Sequence, residues 1–157
     1  MIAVVWHSRT GAAEAMAAAI SEGLAGSGRL IRAQDVSPAD LLEADGFLFV
    51  CPENLASMTG MMKEMFDRCY YSLLGRVEGR PYATAIVAGS DGLGAEAQID
   101  RIATGWRLKR IADSLIVNVG AQTPTEILAN KEVAEQELAR CNLLGATIRE
   151  GMDLGIF

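Results

Sequence analysis

Five short apolar runs, at residues 2–6, 30–36, 46–51, 82–88 and 114–119, alternate with longer stretches whose apolar side chains recur every three or four positions. Phe47-Leu48-Phe49-Val50 is apolar at every position rather than every second one, as a parallel strand covered on both faces requires. Helical spacing is carried first by Ala13, Met16, Ala17, Ile20 and Leu24, and Gly26 and Gly28 stop it. A short helix is expected after Ser37-Pro38, since serine caps a helix and proline suits its first turn. A third is expected on Met62, Met65, Phe66, Cys69 and Leu73, and a fourth on Ile99, Ile102, Ala103 and Trp106. The last, over 130–152, carries Ala134, Leu138, Cys141, Gly145 and Ile148. This alternation predicts an α/β fold, a three-layer α/β/α sandwich around an open parallel sheet of five strands. No repeat or linker divides residues 1–157, so a single domain is expected. In such sheets ligands bind beyond the carboxyl ends of the strands, where strand order reverses. Chemistry is therefore expected in the loops after strands one, three and four.

Charge narrows the partners. The 157 residues include 14 basic and 20 acidic ones, a net charge of −6, and the densest basic run, 107–110, is broken by Leu108. Nucleic acid is thus not an expected partner, because phosphate backbones need clustered Lys and Arg. Mean hydropathy is +0.20, but no apolar run approaches the ~18 residues of a membrane span, so no membrane insertion is expected. The opening residues lack a basic n-region and their apolar run breaks at His7-Ser8-Arg9; no signal peptide is read there and a cytoplasmic location is the expectation. Cys51, Cys69 and Cys141 are odd in number and widely spaced, and His7 is the one histidine. Reduced thiols are expected, and neither a disulfide framework nor a metal site.

Three loops carry candidate chemistry. After the first strand, Ser8, Arg9, Thr10, Gly11, Ala12 and Ala13 lead into a helix. A helix start presents unpaired N–H groups and a positive dipole end, and the hydroxyls and glycine suit a phosphate; a simple Thr10 cap is the alternative. Neither a Gly-x-Gly-x-x-Gly nor a Walker motif is present. After the third strand come Pro52, Glu53, Asn54, Leu55, Ala56 and Ser57, with Ser57 as the expected cap of the Met-rich helix. After the fourth come Ser90, Asp91, Gly92 and Gly94, a loop whose backbone either touches a flat ligand or another chain, or is a plain turn.

These segments, together with the run Ser57-Met58-Thr59-Gly60-Met61-Met62-Lys63-Glu64-Met65-Phe66-Asp67-Arg68, resemble the flavodoxin-like NAD(P)H-dependent FMN and quinone reductases over nearly the whole chain. The resemblance implies a flavodoxin-like five-stranded parallel sheet in the order 2-1-3-4-5. It implies FMN as a non-covalent cofactor, its phosphate on Ser8, Arg9, Thr10, Gly11, Ala12 and Ala13. The ring is then expected between the loop Pro52, Glu53, Asn54, Leu55, Ala56, Ser57 and the loop Ser90, Asp91, Gly92, Gly94, whose N–H groups would meet the ring's polar edge. The implied activity is an NAD(P)H oxidoreductase with a small-molecule acceptor, a quinone, flavin or similar aromatic, in a homo-oligomer, dimer or tetramer.

Two departures bear on this. Ala13 stands where the family usually has a hydroxyl, which removes one donor, about 0.5–1.5 kcal/mol for an ordinary hydrogen bond. Leu55 and Ala56 stand where electron-carrying flavodoxins commonly place an aromatic residue over the ring; an uncovered face favours a reductase over a carrier. The alternatives are a flavodoxin-type carrier and a binding module on the same fold that has lost FMN. No catalytic side chain is assigned, since the chemistry belongs to the flavin. Glu53 and Asp91 are read as ring contacts or as solvated acids, and His7 as a phosphate contact or a structural histidine. Tyr70, Tyr71 and Trp106 are read as packing residues or as reaching a neighbouring subunit's flavin, and Arg107 and Lys109 as dinucleotide contacts or as favourable charge at a helix end.

Overall fold

The computed structural model describes residues 1–157. The chain runs β1 (Ile2–Trp6), α1 (Ala12–Gly23), β2 (Gly28–Arg32), a 3-10 turn (Ala33–Asp35), α2 (Pro38–Glu43) and β3 (Gly46–Asn54). It continues through β4 (Ser57–Met58), α3 (Gly60–Leu73), β5 (Pro81–Ala88), α4 (Leu93–Gly105), β6 (Lys109–Arg110), β7 (Leu115–Asn118), α5 (Pro124–Leu128) and α6 (Glu135–Asp153). The parallel order β2-β1-β3-β5 is completed by two short strands that share the last position: β6 pairs with the start of β5 and β7 with its end. This is the expected flavodoxin-like order 2-1-3-4-5, with the fifth strand in two pieces. Where it is interrupted, a polar network replaces the ladder. The Arg110 guanidinium binds Asp100 at 2.5 Å, Glu96 at 2.9 Å and Ser114 at 3.1 Å, while the Tyr82 hydroxyl donates to Asp100 at 3.1 Å.

Successive residues of a strand face opposite layers, and the core divides accordingly. Val5, Phe47, Phe49 and Ile86 pack under α3 and α4 on Met62, Met65, Phe66, Ile99 and Trp106. Val4, Leu48, Val50 and Val87 pack under α1 and α6 on Met16, Ile20, Leu24, Cys141 and Ile148. The Phe66 ring lies 4.9 Å from Phe49 and 5.2 Å from Trp106, so Trp106 is core, while Tyr70 and Tyr71 are exposed.

Four boundaries differ from the hydrophobic pattern. The second strand ends at Arg32, because residues 33–35 turn into a 3-10 helix. The third continues through Pro52, Glu53 and Asn54, since Pro52 still pairs with Val87 of β5 and the next two pair with β4 as a hairpin (Glu53 with Met58, Asn54 with Ser57). Ser57 therefore lies in a strand, and Thr59 holds the N-cap of α3. The last helix starts at Glu135: residues 130–134 are irregular, and a separate short helix, α5, precedes them at Pro124–Leu128. The Asp67-Arg68 pair of the most family-like motif is structural. Lys63 binds Asp67 at 2.6 Å, and the Arg68 guanidinium donates to the carbonyls of Val36 and, at 2.9 Å, Ala33, locking α3 to the connection after β2. No helix is long and apolar enough to cross a membrane.

Candidate functional site

At the end of β1 the His7 N–H donates to the Val50 carbonyl, and the chain turns through Ser8 to Gly11. Gly11, at φ 94°, is the N-cap of α1 and has no side chain with which to cap it; its own N–H donates to Ser8 Oγ at 3.0 Å. Thr10 is therefore not the cap. The first bond along the helix runs from the Ala15 N–H to the Gly11 carbonyl, so the N–H groups of Ala12, Ala13 and Glu14 have no acceptor within the helix. Ala13 is 1% exposed and packs in the α1 layer of the core. Its Cβ is thus committed to packing, and what residue 13 offers a ligand is its backbone.

The hairpin β3–β4 turns on Leu55 and Ala56, at φ 52° and 56°. Left-handed backbone costs a non-glycine residue roughly 1–2 kcal/mol, and here two occur in succession, with Leu55 fully exposed. The hairpin is held in place by α4. Gly92, at φ 110°, is the N-cap of α4 and again lacks a capping side chain; Glu53 supplies the cap instead, Oε1 accepting from the Gly92 N–H and Oε2 from the Ala95 N–H, both at 3.0 Å. Gln98 Oε1 accepts from Ser57 Oγ at 2.8 Å and from the Met58 N–H at 2.9 Å. A Cβ at Gly94 would lie 2.2 Å from the Ala56 carbonyl oxygen. The two loops therefore touch rather than stand apart as walls of a slot. The Gly92 N–H is spent on Glu53, and the Leu93 N–H donates to Asp91 Oδ1 at 3.3 Å, so neither is free for a ring carbonyl. Glu53 is a bonded cap and not a solvated acid.

A cavity of about 610 Å³ opens over the carboxyl ends of β1, β3 and β5, within the ~300–1,000 Å³ usual for small-molecule sites. Ser8, Arg9, Thr10, Ala12 and Ala13 line one end; Pro52, Glu53, Asn54, Leu55 and Ala56 form one wall; Ser90, with Val87, Ala88 and Gly89, adds the end of β5. Gly11, Ser57, Asp91, Gly92 and Gly94 lie outside this lining, for the reasons just given. The far wall, Val119, Ala121, Ile127, Leu128 and Lys131, was not expected from the hydrophobic pattern. Its core, α5, buries no residue, so it carries no helical stripe. A capping box holds it: Thr123 Oγ1 accepts from the Glu126 N–H and Glu126 accepts from the Thr123 N–H, with Pro124 in the first turn. Thr123-Pro124-Thr125-Glu126 was the legible signal. The Lys131 ammonium closes the other end on the carbonyls of Glu126, Ile127 and Ala129, and the Lys131 N–H donates to the Thr10 carbonyl at 2.7 Å. The far wall is thus tied to the phosphate-type loop.

Arg9 and Lys131 are the cations of the lining, Glu53 is its one carboxylate, and no aromatic residue lines it. Burial, and then the Arg9 charge, lower the His7 pKa below the usual 6.5, and its Nδ1 is buried without a partner; His7 is not in the lining. Burial pushes the Cys51 thiol up to about 12, so it is no nucleophile, and all three cysteines are free and buried. Arg107 pairs with Glu78 at 3.5 Å.

The family model of NADPH-dependent FMN reductases matches residues 37–120, more than half of the chain and the stretch that includes the hairpin, α3 and the Glu53–α4 bridge. The chain belongs to the NADPH-dependent FMN reductase family. A flavodoxin of Aquifex aeolicus (strain VF5) is 26% identical over 162 residues, covering 95% of this chain and 85% of its own. Among solved structures, a flavodoxin from the domain Archaea superposes with a TM-score of 0.77 at 21% identity, covering 98% of this chain and 99% of that one. The WrbA-like flavodoxin from Agrobacterium tumefaciens gives 0.69 at 21% identity, with 95% and 94% covered. At these identities the structures speak for the flavodoxin fold alone. Family and fold together make this reductase-family member a flavin-binding oxidoreductase. The site fits such a cofactor: unpaired N–H groups, two hydroxyls and Arg9 suit a phosphate dianion, and the largely apolar walls suit a flat ring.

Proposed function

We propose that the protein is an FMN-dependent NAD(P)H oxidoreductase that reduces a quinone, a flavin or a similar flat aromatic acceptor. FMN supplies, when bound, a ring that takes up two electrons with a proton and releases them singly or in pairs. The N–H groups of Ala12, Ala13 and Glu14, with Ser8, Thr10 and Arg9, hold the phosphate. Pro52, Glu53, Asn54, Leu55, Ala56 and Ser90 border the ring. Asp91, Gly92, Gly94 and Ser57 act from behind, as supports of that wall. Gly11 lets the loop turn. The observation that carries the reading is the absence of any aromatic side chain from the cavity walls. The face of the ring that an aromatic residue would cover is left to nicotinamide and acceptor in turn. The reading includes a single domain over residues 1–157 and a cytoplasmic homo-oligomer, dimer or tetramer.

The test is an absorption spectrum of the purified protein, an FMN titration by calorimetry, and oxidation of NADH and NADPH with 2-methyl-1,4-naphthoquinone present. A bound flavin and quinone-dependent oxidation of either nucleotide are expected. FMN binding without direct reduction by either nucleotide would instead establish the flavodoxin-type carrier, which the Aquifex relative's name favours. No heat on injection of FMN would leave the binding module without cofactor.

A further inference from the structure

Of the charged side chains in the cavity wall, Glu53 alone is negative, and its placement is unusual: both carboxylate oxygens are spent on backbone N–H groups of a helix that begins on the other side of the hairpin. A helix start carries roughly half a positive charge, concentrated on its first unpaired N–H groups. Gly92, the N-cap of α4, has no side chain to cap it; Asp91 accepts from the Leu93 N–H at 3.3 Å and Glu96 of the first turn is drawn to Arg110, so Glu53 is the carboxylate that meets this helix start from the cavity wall carrying Leu55 and Ala56. Gln98 and the close approach of Gly94 to Ala56 make the same junction from other directions, without charge.

We propose that Glu53 is the positioning and potential-setting residue of this site: by bridging Gly92 and Ala95 it joins the hairpin to α4 and cancels that helix's positive end at the ring-facing wall. This rests on the FMN reading above. Reduction adds negative charge to the ring, so a carboxylate in the wall disfavours the reduced form and an uncovered helix start favours it. Glu53 therefore holds the bound flavin at a lower potential, which makes it a stronger donor to an acceptor.

The experiment compares wild type, Glu53→Gln and Gln98→Ala, each loaded with FMN. The side-chain amide of Glu53→Gln keeps one acceptor oxygen and loses the charge and the second bond. Amide exchange at Gly92 and Ala95, measured without flavin, is expected to quicken at least tenfold in Glu53→Gln. The preference for reduced over oxidised FMN is expected to rise about tenfold, a two-electron midpoint about 30 mV higher, read by equilibration with a redox dye. Gln98→Ala loosens the same junction without touching charge and is expected to leave the midpoint at the wild-type value. An unchanged midpoint in Glu53→Gln, or an equal shift in Gln98→Ala, overturns the assignment. Failure of wild type to bind FMN overturns the cofactor reading instead, while the exchange measurement still reports on the bridge. Should Glu53→Gln not fold, Glu53→Asp, which keeps the charge on a shorter arm, must show fast exchange at Gly92 or Ala95 with a midpoint within a few millivolts of wild type. A shift as large as tenfold there also overturns it.

Discussion

Replacing Gly94 by alanine adds one methyl group at the tightest contact of the site. An ideal Cβ there sits 2.2 Å from the Ala56 carbonyl oxygen and 2.8 Å from its carbon. The obstacle is backbone, so no side-chain rotation relieves it, and reaching an ordinary 3.4 Å requires the hairpin and α4 to part by about 1.2 Å. Alanine returns about 0.8–1.0 kcal/mol of helix propensity. Against this stand overpacking, typically about 1–3 kcal/mol, and the two 3.0 Å bonds from Glu53. A parting of that size breaks at least one of them, at about 1.5–3 kcal/mol for a bond to a charged group. The balance is a loss of about 1.5–5 kcal/mol, or roughly 3–20 °C in Tm for a chain of this length. Urea unfolding followed by circular dichroism measures it. Gly105→Ala, in the same helix with nothing within 4 Å of the added Cβ, serves as the control and is expected to gain about 0.5–1 kcal/mol. If Gly94→Ala matches wild type within 0.5 kcal/mol, the hairpin yields freely and the rigid junction of hairpin and α4 is wrong.

The His7 pKa lies below its usual value through burial and the Arg9 charge, so the unfolded chain binds a proton first; stability is expected to fall as pH drops below about 6.5 and on towards the lowered pKa, and His7→Gln should flatten that limb of a Tm-against-pH curve. Tyr82 is pushed up to about 12 by burial and then by the Asp100 charge, so between pH 10 and 12 the unfolded chain loses a proton the folded one keeps; stability should decline across that window, and the Tyr82→Phe curve should lack this decline. The Arg80 guanidinium caps α2: its Nη1, with two N–H groups, lies 3.0, 2.9 and 2.6 Å from the carbonyls of Leu41, Leu42 and Ala44, which share them. Arg80→Met removes the two Nη1 donors from these carbonyls and is expected to cost about 3–6 kcal/mol by urea unfolding, with FMN affinity of the folded fraction unchanged. All three cysteines should be silent to a thiol reagent in the native protein and titrate only after denaturation.

The features that were legible in the sequence are those written in periodicity. Phe47 to Val50, apolar at every position, announced a strand buried on both faces, and the Met62, Met65, Phe66, Cys69, Leu73 stripe is the buried face of α3. What escaped was decided by pairings between distant residues. Nothing local at Glu53 tells a loop acid from a cap: the donors it meets are 39 and 42 residues away. Pro52, Glu53 and Asn54 read as loop residues because proline and asparagine are poor strand formers, yet pairing with β5 at Pro52 and with β4 at Glu53 and Asn54 carried the strand through them. The reverse holds at α5, whose Thr123-Pro124-Thr125-Glu126 signature was local and readable, while its apolar residues point to no core.

That contrast also bears on how the cleft is built. Its phosphate-type end and its hairpin wall hang from strands buried on both faces, so their backbone is fixed by the core itself. The far wall has no buried residue; Val119 ties it to the Ala88 carbonyl, and its α5 part is held by the capping box, its own backbone turns, the Lys131 ammonium and the bond from Lys131 to Thr10. Such locally capped segments open at a small fraction of the global unfolding free energy. One side of this cleft is therefore fixed by core packing and the other chiefly by local caps. The two sides of the cleft thus draw on different sources of stability, core packing and helix capping, joined by the Lys131–Thr10 and Val119–Ala88 backbone hydrogen bonds.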